Sequence, residues 1–245
     1  MDFIKTNDGS NTLFSTKYKQ HFHDVKTGAI KESLIKHVIP AFNYKKNRKS
    51  LKILDICFGL GYNTLSTIYY AKKYFPDIKL EIYSPELDLE LVTSLKDFKY
   101  PKEFDELSNI IKQLSTKQKY EDENIKIELF IGDAREYIKS LHNIDIVYQD
   151  AFSSEVNTEL WSVEYFKDIF NCTNNNCIVT TYSIATNVRL SLYEAGFKIY
   201  EINPTGKRKQ TIAFKSKVEI EAKYIDMELK KQRNKEAKAI FDKVD

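Results

Sequence analysis

Residues 52–63 read KILDICFGLGYN, an apolar run that ends in a glycine-containing turn. A short apolar run is typical of a strand that is buried on both faces of a parallel sheet. Gly59 and Gly61 allow a tight turn, and helical periodicity begins directly after it, at residue 64. The free N–H groups at a helix N-terminus can then approach a carboxylate or phosphate closely. This segment therefore predicts an α/β fold with a ligand at the glycine turn.

The same alternation continues along the chain. Apolar runs predict seven strands, at residues 52–57, 79–84, 126–131, 144–149, 177–182, 197–202 and 211–215. Helical periodicity separates them at residues 64–74, 88–95, 134–141, 164–170 and 188–195. This order predicts a Rossmann-like, mostly parallel seven-stranded sheet with helices on both faces. The last two strands are joined by a short link, so we expect them to pair as an antiparallel hairpin.

Three regions follow from this pattern. Residues 1–50 form a small N-terminal extension and basic linker, with a helix predicted from residue 30 to 42 that stops at Pro40. Residues 51–215 form the α/β domain, which includes a polar insertion at 98–124. Residues 216–245 are predicted to be a charged helical tail.

Composition excludes several classes of protein. Among 245 residues, 42% are hydrophobic, yet no apolar run approaches the ~20 residues of a membrane span. The N-terminus lacks a signal-peptide pattern, so we expect a cytoplasmic protein. Three scattered Cys exclude a disulfide scaffold, and four His without a CxxC pair predict that no metal is bound.

The charge is unevenly distributed. The net charge is only +3, but residues 1–50 contain ten Lys or Arg against four Asp or Glu, whereas residues 81–150 contain nine against sixteen. Basic clusters occur at Lys45, Lys46, Arg48 and Lys49 and again at residues 207–209. This pattern favours a polyanionic partner that docks on one side. The alternative is a lysine-rich solvated surface.

Polar side chains follow successive strands at one edge of the predicted sheet. Glu86 follows the second strand and is placed to accept ribose hydroxyls, unless it is a solvated loop acid. Asp133 follows the third and suits an adenine amino group or a helix cap. Asp150 follows the fourth, near the reacting end of a bound cofactor. Beyond it, Trp161 either lines a substrate pocket or anchors the next helix in the core.

Three blocks of sequence resemble one known family, the methyltransferase domain of the tRNA 5-methylaminomethyl(-2-thio)uridine biosynthesis protein MnmC. The first block includes Asp8-Gly9-Ser10, Phe22-His23 and Gly28-Ala29-Ile30, and the second is Phe58-Gly59-x-Gly61-x-Asn63. The third runs from Asp150-Ala151-Phe152-Ser153 through Asn157, Glu159-Leu160-Trp161, Thr181-Tyr182-Ser183 and Val188-Arg189 to Gly206-Lys207-Arg208-Lys209. These blocks cover most of residues 8–214 in the family's order.

The resemblance implies a methyltransferase that uses S-adenosyl-L-methionine and acts on the 5-aminomethyl group of the tRNA wobble uridine. By position, it implies cofactor contacts at Gly59, Gly61, Asn63, Glu86 and Asp133, and Asp150 beside the amine. Candidate contacts to the substrate or tRNA are Phe152, Trp161, Tyr182, Lys207, Arg208 and Lys209. The chain is too short for the FAD-dependent oxidase domain of the larger proteins, so a separate enzyme is expected to supply the aminomethyl precursor.

The sequence departs from the family at Cys57, where glycine is usual, and at Ser154 and Thr158, where prolines are common. Two rival functions remain open. A polyamine aminopropyltransferase shares this fold but carries a second acid where Ser153 stands. A non-catalytic RNA-binding module is disfavoured by the intact set of strand-end residues.

Overall fold

Strands and helices alternate along most of the chain in the computed structural model, which describes residues 3–206 and 208–243. Within these residues the strands are β1 (Ile4–Lys5), β2 (Asn11–Thr12), β3 (Phe14–Ser15), β4 (Gln20–His21), β5 (Ser50–Ile56), β6 (Lys79–Glu86), β7 (Lys119–Glu121), β8 (Ile125–Ile131), β9 (Ile144–Gln149), β10 (Thr173–Thr181), β11 (Lys198–Ile202), β12 (Gln210–Phe214) and β13 (Lys223–Tyr224). The α-helices are α1 (Ala29–Ser33), α2 (Ile39–Lys45), α3 (Tyr62–Tyr74), α4 (Leu89–Ser94), α5 (Ser108–Lys117), α6 (Ala134–Ile138), α7 (Val163–Cys172), α8 (Thr186–Glu194) and α9 (Met227–Arg233).

A single sheet of nine strands, in the order β13-β11-β12-β10-β9-β5-β6-β8-β7, organises the described residues. Strands β10, β9, β5, β6 and β8 are parallel. The predicted hairpin is confirmed, because β11 and β12 pair antiparallel from Lys198↔Phe214 to Ile202↔Gln210. All seven predicted strands are present, and the Rossmann-like class is confirmed. The two additional strands, β7 and β13, are short, polar edge strands that have no apolar run to mark them.

Helices cover both faces of the sheet. On one face α2, α3 and α5 bury apolar side chains such as Phe42, Leu65 and Leu114. On the other face α6, α7 and α8 bury Ile138, Phe166 and Leu192. The parallel strands are buried on both faces, and burial of this apolar area is the main favourable term in folding. No helix among the described residues is long and apolar enough to cross a bilayer.

The N-terminal helix passes through Pro40 and does not stop there. Helices α1 and α2 are joined by a π-helical turn, Leu34–Val38, and Pro40 lies in the first turn of α2. Proline lacks the N–H that would bond to the carbonyl four residues earlier. Here the side chain of Gln210 replaces it, since Nε2 donates to the carbonyls of Ile35 at 3.2 Å and Lys36 at 3.1 Å. The prediction of a stop at Pro40 was therefore wrong, because a tertiary contact satisfies the freed groups.

Among the described residues 216–243, helix is confined to the seven residues of α9, so the prediction of a helical tail for 216–245 fails for most of this segment. Before α9 the segment adds strand β13 to the edge of the sheet beside β11, and after α9 residues near Ile240 contact α7 and α8. The backbone of Ile240 accepts from the Val163 N–H at 2.8 Å and donates to Ser191 Oγ at 2.9 Å. These bonds fasten the chain's end to the helical layer.

The basic cluster at residues 45–49 lies before β5, at the amino ends of the strands, and Lys45 is buried. The ammonium group of Lys45 donates to the carbonyl of Asn176 and lies 4.0 Å from the carboxylate of Asp145. Burial lowers the pKa of Lys45, and Asp145 opposes that shift. Lys45 is therefore neither part of a surface for a polyanionic partner nor a solvated lysine, because its charge is paired inside the protein.

We expect Lys45→Ala to reduce the free energy of unfolding by about 1–3 kcal/mol, since buried acceptors lose their donor. Urea denaturation measures this change. The matched control is Lys46→Ala, an exposed neighbour, which should stay within about 0.5 kcal/mol of the unmutated protein. Equal stability of the two variants would contradict a structural role for Lys45.

Candidate active site

A cavity of about 410 Å³ lies at the carboxyl edge of the sheet, where β5, β6, β8 and β9 end. Ligands of doubly wound folds bind at this edge, because successive strand ends converge there. The predicted site residues that line the cavity are Gly59, Asn63, Glu86, Asp133, Asp150, Phe152 and Tyr182. The fold thus brings together residues that are up to 123 positions apart in the sequence.

The glycine turn has the backbone conformation that its sequence predicts. Gly59 has φ +54° and Gly61 has φ +72°, both in the left-handed region. Gly61 lies outside the cavity lining, but its N–H bonds to the carbonyl of Phe58 at 2.7 Å and it precedes the first turn of α3. A Cβ atom at Gly61 would lie 2.7 Å from the Phe58 ring. Cys57 also has a positive φ, +65°, so the turn is retained at a cost of ~1–2 kcal/mol for a residue with a side chain.

Glu86, the last residue of β6, connects this strand to the glycine turn through hydrogen bonds. Its Oε2 accepts the Gly59 N–H at 2.8 Å and its Oε1 accepts the Asp88 N–H at 3.0 Å. Burial raises the pKa of Glu86, although these backbone hydrogen bonds oppose the shift. The carboxylate lines the cavity and keeps accepting capacity for a ligand hydroxyl.

Asp133 caps α6, the alternative that the sequence left open. Its Oδ1 accepts the Arg135 N–H at 2.8 Å, and the guanidinium of Arg135 contacts Oδ2 at 2.8 Å. Hydrogen bonding to Arg135 lowers the pKa of Asp133. The residue still borders the cavity, so contact with an adenine group stays a prediction.

Two carboxylates share the amide group of Asn63. Its Nδ2 donates to Asp150 Oδ2 at 2.9 Å and to Asp55 Oδ1 at 3.3 Å, and Thr64 Oγ1 donates to Asp55 Oδ2 at 2.7 Å. Burial raises the pKa of Asp55 to about 8. Burial also acts to raise the pKa of Asp150, but His37 and Lys36 outweigh it and the net pKa is lowered. Of the two carboxylates that share Asn63, Asp150 is therefore the one that is ionised at neutral pH.

Two residues of the π-helical turn, Lys36 and His37, also belong to the site, although they were not predicted from the sequence. His37 is fully buried, with Nδ1 2.8 Å from Thr180 Oγ1 and Nε2 3.3 Å from Asp150 Oδ1. Lys36 lines the cavity, and its ammonium lies 5.0 Å from the centroid of the Tyr182 ring. Both residues lie in a segment whose sequence has the pattern of an ordinary amphipathic helix, so nothing in that pattern marks them as functional. The signal that could have found them is a Lys and a His four and three residues before a proline within a helical pattern, since π turns occur often at functional sites.

The hairpin of β3 and β4 covers the outer part of the cavity. Tyr18, in its turn, stacks on Phe152 with ring centroids 4.5 Å apart, and Phe22 meets the same ring edge-on at 5.3 Å. Gln20 Nε2 donates to Ser153 Oγ at 2.8 Å, and the Ser153 N–H donates to Gln20 Oε1 at 3.3 Å. The N-terminal extension is therefore part of the site.

Trp161 does not face the cavity. Its side chain is 0% exposed, and its indole N–H donates to the carbonyl of Phe152 at 2.8 Å. The prediction of a substrate contact was wrong here, since the residue packs in the core and braces the loop after Asp150. Tyr182 does border the cavity and donates to the carbonyl of Ala151 at 3.0 Å.

The second basic cluster is only partly described. Lys207 lies outside the described residues. Arg208 pairs with Asp24 at 2.8 Å and Lys209 pairs with Glu201 at 2.9 Å, and both basic side chains are more than half exposed. Neither lines the cavity. Within residues 3–206 and 208–243, no group of three or more His, Cys, Asp or Glu is placed to hold a metal ion.

The sequence and the structure of this chain are both similar to those of known methyltransferases. A family model described as an S-adenosyl-L-methionine-dependent methyltransferase matches residues 101–216. The crystal structure of MnmC2 from Aquifex aeolicus matches with a TM-score of 0.81 and 32% sequence identity, over 95% of this chain and 75% of that one. The expected resemblance is thereby confirmed.

Curated sequences show the same relationship. An uncharacterized protein from Methanocaldococcus jannaschii is 30% identical over 218 residues, which cover 87% of this chain and 59% of the relative. The tRNA 5-methylaminomethyl-2-thiouridine biosynthesis bifunctional protein MnmC from Campylobacter fetus subsp. fetus is 26% identical over 179 residues, which cover 68% of this chain and 28% of that protein. The chain thus spans less than two thirds of the length of these relatives.

The cavity suits S-adenosyl-L-methionine. Asn63 Oδ1 is buried and has no hydrogen-bond partner among the described residues, which leaves an acceptor for the ammonium of an amino acid group. Glu86 offers carboxylate acceptors for ribose hydroxyls, and the Gly59 turn offers close backbone approach. These residues would hold the cofactor, which supplies an electrophilic methyl group on a sulfonium.

We expect Glu86→Ala to weaken S-adenosyl-L-methionine binding by about 1.5–3 kcal/mol, because hydrogen bonds to a charged group are lost. That loss equals roughly a 10- to 100-fold rise in Kd, measured by calorimetry. Glu90→Ala, an exposed acid on α4, is the matched control and should bind normally. Unchanged affinity in folded Glu86→Ala would contradict the ribose contact.

Proposed function

The chain belongs to the MnmC-like family of S-adenosyl-L-methionine-dependent methyltransferases, and from that premise we propose that it methylates the 5-aminomethyl group of the tRNA wobble uridine. The product would be 5-methylaminomethyl(-2-thio)uridine. The substrate is inferred from the function for which the longer relatives are named, tRNA 5-methylaminomethyl-2-thiouridine biosynthesis; this chain is 23–33% identical to them.

The observation that carries the proposal is the place of Asp150. Asp150 lines the cavity beyond the glycine turn, and its carboxylate accepts a hydrogen bond from the amide of Asn63. The pKa of this carboxyl group is lowered. An amine that attacks a methyl group must be neutral and aligned, and it must lose one proton. A positioned carboxylate orients the N–H groups and accepts that proton. The leaving thioether needs no acid, so one base is sufficient.

The mouth of the cavity suits a nucleotide. Phe152, Phe22 and Tyr18 form an aromatic shelf, which is the kind of surface on which an unstacked base binds. Lys17 lines the same opening. Cations beside such a shelf contact phosphates and supply affinity, while the shelf holds the base.

The aminopropyltransferase alternative has less support. The position of its second acid is occupied by Ser153, whose hydroxyl is bonded to Gln20. The proposal requires a separate enzyme that supplies the 5-aminomethyl precursor, and a tRNA substrate places the activity in the cytoplasm.

The test is methylation of tRNA that carries 5-aminomethyluridine, followed by nucleoside mass spectrometry. The expected result is loss of aminomethyluridine and gain of methylaminomethyluridine, dependent on S-adenosyl-L-methionine. A protein that binds the cofactor but leaves this nucleoside unchanged would overturn the proposed substrate.

We predict that Asp150→Ala lowers the single-turnover methylation rate by ~10²-fold or more, the usual scale for a positioned proton acceptor. Cofactor binding and thermal stability should change little. Glu159→Gln is the control, since this acid lines the same cavity but bonds to Asn157. If Asp150→Ala keeps the rate, the residue is not catalytic; loss in step with the melting temperature would indicate a structural role.

We also predict that Arg208→Ala/Lys209→Ala flattens the salt dependence of tRNA binding. Each lost phosphate contact reduces the log–log slope by roughly 0.7–0.9. Both side chains are in exposed ion pairs, which are weak enough for a phosphate to replace. The matched control, Lys46→Ala/Lys49→Ala, removes two exposed charges at the opposite edge of the sheet and should leave the slope unchanged. A slope for Arg208→Ala/Lys209→Ala equal to that of the unmutated protein would exclude this cluster from the RNA interface.

A further inference from the structure

Lys36 is a cation in the wall of the cavity to which the proposed reaction gives no role. We propose that the ammonium of Lys36 donates a hydrogen bond to O4 of the target uracil, and that this contact makes the site select uridine over cytidine. The inference rests on the proposed N-methylation of an aminomethyl group at C5. It assigns recognition of the base to Lys36, while Asp150 holds the amine.

Two neighbours that also line the cavity hold the ammonium group of Lys36 in place. It donates to Oε1 of Glu32, which lies four residues earlier on the same face of the N-terminal helix. It also lies 5.0 Å from the centroid of the Tyr182 ring. The hydroxyl of Tyr182 donates to the carbonyl of Ala151 at 3.0 Å, which restrains that ring. The position of the cation is therefore defined before a substrate binds.

Glu32 is itself anchored and ionised. Its Oε2 accepts the Asp24 N–H at 2.7 Å and lies 3.5 Å from Nδ1 of His23. Burial acts to raise the pKa of Glu32, but His23 and Lys36 outweigh it and the net pKa is lowered. The carboxylate is therefore charged at neutral pH and keeps the ammonium of Lys36 at the cavity wall.

Lys36 has hydrogen-bond donors that the protein does not use. An ammonium group has three N–H donors and no acceptor. Across residues 3–206 and 208–243, the carboxylate of Glu32 is the one group that accepts a hydrogen bond from it. The side chain is only 18% exposed, so it is not an ordinary solvated lysine. The remaining donors are available to an oxygen of a ligand in the cavity.

A uridine modified at C5 would bring such an oxygen to this place. O4 is bonded to C4, the ring carbon next to C5, so the aminomethyl nitrogen and O4 lie side by side. In the proposed reaction Asp150 accepts from the amine, and Lys36 is near enough for its charge to lower the pKa of Asp150. An acceptor and a donor of the protein are thus neighbours, as are the N–H and the oxygen that they would bind.

Cytosine would be rejected at the same position. Its C4 has an amino group, which is a donor, where uracil has an acceptor. The amino group would face a cation that cannot accept a hydrogen bond, and both groups would be left unpaired in a partly buried place. This selection is separate from contacts to phosphates, which provide affinity without distinguishing bases.

The test uses two anticodon stem-loop RNAs that differ only at the wobble position, which has 5-aminomethyluridine in one and 5-aminomethylcytidine in the other. The measured quantity is the ratio of kcat/KM for their methylation. The wild type should favour uridine by at least about 100-fold, since a site built for a hydrogen bond strongly rejects a substrate that cannot make it. Lys36→Met should lower this ratio at least about tenfold, because uridine loses its donor and cytidine no longer meets a cation.

The matched control is Lys17→Met, which removes another cation that lines the opening of the same cavity. This variant should weaken RNA binding and leave the ratio unchanged. If Lys36→Met fails to fold, Lys36→Gln replaces it, because its amide can still donate to Glu32 and offers the base either a donor or an acceptor. The ratio should fall in this variant as well.

The remaining outcomes contradict the proposal in different ways. An equal loss of activity on both RNAs would indicate a structural or purely electrostatic role for Lys36, and a wild type without base preference would show that O4 is not recognised. Either result would overturn the inference and leave the proposed function standing. A wild type that binds S-adenosyl-L-methionine but methylates neither RNA would refute the proposed function, and the inference with it.

Discussion

One amide group, the Nδ2 of Asn63, connects the fold to the chemistry of the site. It donates to Asp55 at the end of β5 and to Asp150 after β9, two carboxylates that would repel each other if both were charged and unshielded. Burial holds the pKa of Asp55 at about 8, so one acid is largely neutral at pH 7 while the other is ionised. Asn63 lies in the first turn of α3, and the glycine turn that starts this helix therefore also sets the position of the amide.

The sheet supplies only half of the site. Strand ends and the glycine turn form the part that suits a cofactor, whereas the N-terminal extension brings the aromatic hairpin, Lys36 and His37 to the other part. Gln210, on β12, fastens the extension's helix to the sheet. In the proposed reaction, the cofactor would bind to the sheet and the substrate to the N-terminal extension, with Asp150 between them.

The sequence predicted the central strands well because each is a short, continuous apolar run that must be buried in a parallel sheet. It failed where a tertiary contact decides the outcome. The helix continues through Pro40 because the side chain of Gln210 replaces the missing N–H donor. Lys45 can be buried because its ammonium group donates to the carbonyl of Asn176 and pairs with the carboxylate of Asp145. Trp161 was ambiguous from the start, since the same residue type suits a pocket or a core. The position of His37 depends on a π-helical turn, which leaves no periodic trace in the sequence. At the positions where the family has prolines, Thr158 Oγ1 donates to the carbonyl of Ser154 at 3.0 Å, a different way to restrain the same loop.

Cys57 stands in the glycine turn with a left-handed backbone, and its thiol lines the cavity. A thiolate in that place would be a better nucleophile than an amine and would compete for an electrophilic methyl group. Burial raises the pKa of Cys57 well above its usual value, and the charges of Glu86, Asp150, Asp55 and Glu159 raise it further. The acids to which we assign binding and proton transfer would thus also keep this thiol protonated, so that it would not compete with the substrate for the methyl group.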